Sequence, residues 1–159
     1  MRGAFNGVLR AALWGAAIAG TLDIVYAIVF FGFRGVPAMR ILQSVASGLL
    51  GAPAYRGGAP TAALGLALHF AIMFVIALLF VAASRRVALL RQHAIVAGAA
   101  YGLAVYVVMN FIVVPLSAFP QRGGSSATLV VVLGLLVHVV LVGVPIALCA
   151  KYRGDRRTS

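Results

Sequence analysis

Acidic side chains are almost missing from this chain: Asp23 and Asp155 stand against 13 lysines and arginines, giving a formal charge of +11 over 159 residues. Two carboxylates are too few for a two-metal centre, and no HExxH, GxSxG or Walker-type phosphate loop is present, so no enzymatic activity is expected. Cysteine is nearly absent as well. Cys149, the single one, cannot form an internal disulfide and lacks the spacing partners of a zinc or iron–sulfur site. It reads as a small apolar helix residue. The positive charge raises the question of nucleic acid. The basic residues, however, sit scattered at the ends of apolar segments, with no helix-turn-helix pattern and no aromatic-rich groove among them. That distribution argues against a nucleic-acid partner and is typical of residues flanking membrane spans.

What fills the chain instead is hydrocarbon. Hydrophobic residues make up 64% and charged residues 9%, with a mean hydropathy of +1.10, which is the composition of an integral membrane protein whose first partner is the lipid bilayer. Four stretches reach the ~20 mainly apolar residues needed to cross it: about 12–33, 61–83, 94–116 and 127–150. The first follows Arg2 and Arg10 but outruns the ~7–15-residue core of a signal peptide, so it is expected to be a span. The expected fold is therefore an all-α, four-transmembrane-helix bundle formed by a single domain over 1–159.

Arg2, Arg10, Arg85, Arg86, Arg91, Lys151, Arg153, Arg156 and Arg157 fall on one side of such a bundle, against Arg34, Arg40, Arg56 and Arg122 on the other. The positive-inside rule then puts both termini in the cytoplasm. Between the first two spans, "VPAMRILQSVASGLLGAPAY" holds an apolar run too short to cross, with Pro37 suited to starting a helix and Gly51 with Pro53 to ending it. A short amphipathic helix over about 38–50 is expected, interfacial or re-entrant, with Leu42, Val45 and Leu49 on one face and Arg40, Gln43, Ser44 and Ser47 on another.

"LGLALH" at 64–69 returns as "LGLLVH" at 133–138. The match extends weakly over 63–79 and 132–148, and "AG" at 19–20 recurs at 97–98. Together these suggest two parallel-repeat helical hairpins related by an axis along the membrane normal. At ~1.5 Å per residue, Asp23, His69 and His138 fall within about one turn of the same depth, near the middle of the bilayer. An Asp there costs about 2.5–3.5 kcal/mol, so it is expected to face the bundle. Ala16, Ala19, Gly20 and Ala27 provide a small-residue face around it. Helical side chains lean over residue i−4, so Gly65 and Gly134 should leave open space beneath His69 and His138. Tyr106 and Asn110, one turn apart on the third span, are placed to hydrogen-bond a histidine or Asp23. Gly98 and Gly102 form a GxxxG packing signal, and Pro115 and Pro145 are expected to bend their helices.

Three functions stay open at this level. Asp23, His69, His138, Tyr106 and Asn110 are the material of an intramembrane site for protons or a small cation. His69 and His138 alone are the pair a b-type haem would need as axial ligands, an alternative cofactor reading. An accessory or scaffold subunit, whose polar residues only tie helices together, is the third; a homo-oligomer or a larger membrane complex suits any of them. "AGTLDI", "RILQSVASGLLG", "ALGLALHF" and "YGLAVYVVMNFIVVPLS", in this order, resemble small uncharacterised bacterial inner-membrane proteins, YagU-like ones among them. The resemblance spans most of 18–150. It implies a bacterial inner membrane and a loose link to acid resistance, and it transfers no residue role.

Overall fold

The computed structural model describes residues 2–120 and 128–154. Its elements, in order, are α1 (Arg2–Gly32), α2 (Ala38–Leu50), a 3-10 turn (Ala52–Arg56), α3 (Gly58–Arg86), α4 (Leu89–Gln92), α5 (Ala94–Leu116) and α6 (Thr128–Tyr152). Four of them, α1, α3, α5 and α6, are long and apolar enough to cross a membrane. Such segments become helices because, without water, each backbone N–H and C=O must find its partner within its own segment. At ~1.5 Å per residue even the 23 residues of α5 reach beyond the ~30 Å hydrocarbon layer. The spans expected at 12–33 and 61–83 are extended by further helical turns, to Arg2 in the first case and over Gly58–Arg86 in the second. Residue 127 and Arg122 lie outside the described residues.

Helix α1 packs against α3 on one side and α6 on the other, and α5 lies against α6. The α5–α6 contact is backbone on backbone. A Cβ on Gly98 would meet Val144 at 2.8 Å, and one on Gly102 or Gly143 would fall on the facing main chain. The GxxxG signal thus has a concrete partner in Gly143. Tyr101 adds a hydrogen bond from its hydroxyl to the Ile76 carbonyl, 2.8 Å away, tying α5 to α3.

The two halves of the bundle are packed differently. Toward the end that carries the termini, Ala11, Ala12, Ala16 and Ala19 of α1 meet Ala77, Phe80 and Val81 of α3 and Val142, Ile146, Ala147 and Ala150 of α6 in a continuous buried core. Small side chains let the helices close tightly there. Toward the other end, α2 is wedged against α3, and the bundle holds cavities.

Helix α2 does not sort its polar and apolar residues as a water-facing amphipathic helix would. Gln43 and Ser47 are buried, with Ile41 and Ala46, while Met39, Leu49 and Leu50 are exposed. Part of the polar face is thus turned inward and part of the apolar face outward, while Arg40 stays exposed and Val45 lines the bundle interior. Gln43 donates to the Gly58 carbonyl at 3.0 Å and to the Thr61 hydroxyl at 3.3 Å. Ser47 donates to the Ser44 carbonyl at 2.7 Å and lies 3.4 Å from the Tyr55 hydroxyl. Gly51, at φ 65°, reverses the chain after α2 in a conformation that costs glycine nothing. The segment after α5 closes over this element through Ala118, whose N–H donates to the Gly48 carbonyl at 2.9 Å.

Two π-helical turns interrupt the spans, Met109–Val113 in α5 and His138–Gly143 in α6. Each ends two residues before a proline, Pro115 or Pro145. Proline has no N–H, and its ring crowds the carbonyl four residues back, here Phe111 and Leu141, both inside the π turns. The helix relieves the conflict by widening locally into these π turns.

Candidate functional site

Asp23, His69 and His138 come together. All three line one central cavity of about 110 Å³, together with Val45, Ile72, Met73, Ile76, Val105, Met109 and Val142. Met109 and His138 are the first residues of the two π turns, so both widened segments border this space. The equal depth expected from counting residues is thus met by helices α1, α3 and α6.

Two further cavities meet the first at Asp23. A vestibule of about 590 Å³ runs toward α2, lined by Asp23, Ala27 and Phe31 along α1, by Arg40, Ile41, Ser44 and Val45 of α2, and by Tyr55, His69 and Phe119. A side pocket of about 250 Å³ lies between α1, α5 and α6, lined by Asp23, Tyr26, Phe30, Tyr106, Asn110, Gly134 and His138 among others. His69 therefore faces the vestibule and the centre, His138 the side pocket and the centre, and Asp23 all three.

The ring state of each imidazole follows from its partner. One His69 nitrogen, Nε2, lies 2.9 Å from the Gly20 carbonyl across the α1–α3 contact, and the ring is buried. Nδ1 of His138 lies 2.8 Å from the carbonyl of Gly134 in its own helix. A carbonyl oxygen only accepts, so both of these nitrogens carry the proton and donate. In the neutral ring the remaining nitrogen, Nδ1 of His69 or Nε2 of His138, is left as an acceptor. Phe70 meets the His69 ring edge-on, at 5.3 Å between centroids, and Tyr106 does the same to His138 at the same distance.

The space expected beneath the imidazoles is filled. A Cβ on Gly65 would fall on the Leu42 carbonyl of α2, and one on Gly134 would lie 3.2 Å from the Tyr106 ring. The glycines admit α2 and Tyr106 rather than a ligand, because close approach of a neighbour is what the missing side chain permits. Asn110 also departs from expectation. It is exposed and donates to the carbonyl of Tyr106 at 2.9 Å, so it lines the side pocket without bonding a histidine or Asp23. Tyr106 reaches His138 through its ring.

Of the polar face expected on α2, Gln43 and Ser47 are spent on holding α2 to its neighbours. Ser44 donates to the Ile41 carbonyl at 2.7 Å and, like Arg40, lines the vestibule. Arg40 donates to the Tyr55 carbonyl at 3.3 Å, and its guanidinium stands 5.3 Å from the centroid of that ring.

Asp23 is half-buried and within electrostatic reach of both His138 and His69. It makes no hydrogen bond and no ion pair among the described residues. Sequence reasoning did not mark Tyr55 and Phe119, which wall the vestibule from loops, or the Gly20 carbonyl. No local pattern announces a loop aromatic or a backbone partner brought in by tertiary packing. Tyr26, three residues after Asp23 on the same helix, shares the side pocket with it, and that helical spacing is the signal in the sequence that could have found it.

No group of three or more metal-binding side chains close enough to hold an ion occurs among the described residues. Comparison of the chain with protein-family models, with curated proteins and with solved structures gives no match.

Proposed function

We propose that this protein handles protons, or a small cation that competes with them, at an intramembrane site formed by Asp23, His69 and His138. The setting we propose is a bacterial inner membrane, with both termini cytoplasmic and the vestibule opening outward. The observation that carries the reading is the place of Asp23. It is an ionisable side chain in mid-span, common to three cavities, beside two imidazoles and without a hydrogen bond among the described residues. A carboxylate kept at that depth costs free energy, and such residues mark ion or proton paths.

The chemistry is a relay of acceptors. Asp23 takes or gives a proton at a carboxylate oxygen, and each imidazole can do so at the nitrogen not committed to a carbonyl. Tyr26 and Tyr106 border the side pocket, while Arg40 and Tyr55 stand in the vestibule. The alanine-rich half seals the site from the terminal end, so transfer to that side requires α1, α3 and α6 to shift against one another. If the likeness of 63–79 to 132–148 reflects a doubled hairpin, its two halves would move as units.

A haem does not fit these residues. The space shared by the two imidazoles is about 110 Å³, enough for a few waters, whereas sites for larger organic ligands occupy roughly 300–1,000 Å³. Nε2 of His69 is moreover committed to Gly20. A pure scaffold accounts for the His69–Gly20 bond but leaves Asp23 without a purpose.

The test is proton flux into vesicles loaded with a pH-sensitive dye. Wild-type protein should exceed empty vesicles and Asp23→Asn should match them; wild-type protein indistinguishable from empty vesicles would sink the proposal.

A further inference from the structure

The donors and acceptors around Asp23 define which cation the site takes. We infer that the vestibule binds a primary alkylammonium ion, its NH3+ group at Asp23 and its hydrocarbon chain toward α2. The inference rests on the proposed proton site, since the ammonium group would take the place of the proton there.

Around the central cavity the chain offers acceptors and almost no donors. Asp23 has two carboxylate oxygens without a hydrogen-bond donor among the described residues. His69 and His138 each spend their ring N–H on a backbone carbonyl, at 2.9 and 2.8 Å. Each neutral ring thus has a lone pair left, and a carboxylate with two imidazole lone pairs suits a cation with three N–H donors. A quaternary ammonium carries the same charge but has no donor to give. No three metal-binding side chains among the described residues converge closely enough to hold a metal ion, whereas the hydrogen bonds of an ammonium group, about 2.7–2.9 Å long, reach acceptors set further apart.

The surroundings select for an apolar tail. The vestibule extends from Asp23 past Ala27 to Phe31, eight residues or about 12 Å along α1. Its volume, about 590 Å³, lies in the usual range for organic ligands. A second, largely apolar groove of about 360 Å³, lined by Leu68, Ile72, Met109 and Val113, shares Ser44, Val45 and Phe119 with it. Arg40, the positive side chain of the vestibule, makes no ion pair with Asp23; it is drawn to the wall by the carbonyl and ring of Tyr55. A chain with its ammonium at the floor can therefore lay its methylenes along the vestibule and into the groove.

The experiment is calorimetric titration of the purified full-length protein with n-hexylammonium, its N-trimethyl counterpart and 1-hexanol. Saturable binding of hexylammonium at one site per chain is expected, at least tenfold weaker binding of the trimethyl compound, and loss of the site in Asp23→Asn. Equal binding of the two cations, or unchanged binding to Asp23→Asn, would overturn the inference. Hexanol binding as well as hexylammonium would also overturn it, by showing that the tail alone is recognised. Because binding is read without flux, the two proposals separate. Proton flux lost in Asp23→Asn with no amine binding leaves the proton site standing and removes the amine, and amine binding without flux does the reverse.

Discussion

Replacing Asp23 by asparagine should make the bundle more stable while abolishing its activity. The amide has nearly the shape of the carboxylate and none of its charge. In the folded protein Asp23 is half-buried in a cavity whose walls are apolar apart from His69 and His138, and it receives no hydrogen bond among the described residues. When the protein unfolds in a detergent such as sodium dodecyl sulfate, the side chain regains water. A buried polar group without a partner costs about 1–3 kcal/mol. The amide keeps that cost, and what Asp23→Asn removes is the surplus that charge adds to it; at this half-buried site the gain should be about 1 kcal/mol. Were Asp23 instead the anchor of a structural ion pair, breaking it would cost about 3–5 kcal/mol. The two readings differ in sign. The assay is the equilibrium unfolding midpoint in mixed micelles, followed by helical circular dichroism for both proteins. A midpoint lowered in Asp23→Asn would refute the reasoning, because it would mean the carboxylate holds the helices together.

Other expectations concern the framework. Gly65→Ala puts a methyl group on the Leu42 carbonyl, so α2 must move. A loss of about 1–3 kcal/mol is expected, with faster hydrogen exchange confined to α2; unchanged exchange there would mean that α2 is not seated on Gly65. Tyr101→Phe removes the bond to Ile76 and should cost about 0.5–1.5 kcal/mol, the scale of interhelical hydrogen bonds in membranes. Proton flux should persist in that variant.

The spans were legible because continuous hydrocarbon of bilayer length has one solution in lipid, and Asp23, His69 and His138 were legible because polar side chains are conspicuous there. Their common depth needed only the helical rise. Harder to read were the things tertiary packing decides. Gly65 and Gly134 look alike in sequence, both four residues before a histidine, yet one admits a helix backbone and the other a tyrosine ring. The faces of α2 could be separated by spacing alone, but which face turns inward depends on whether water or lipid surrounds the helix, and that is not written in thirteen residues. Asn110 went to its own helix carbonyl because a partner one turn back is always within reach, whereas Asp23 lies on another helix.

The central claim is that Asp23 and the two imidazoles act as one site, and the most direct measurement of it is proton flux in His69→Gln, His138→Gln and the double variant, side by side in vesicles. Groups acting as a unit are non-additive. Each single change should lower the flux by about tenfold, equivalent to ~1.4 kcal/mol, and the double variant should fall little further. Losses that multiply to about a hundredfold, or single variants that keep the wild-type rate, would contradict the account.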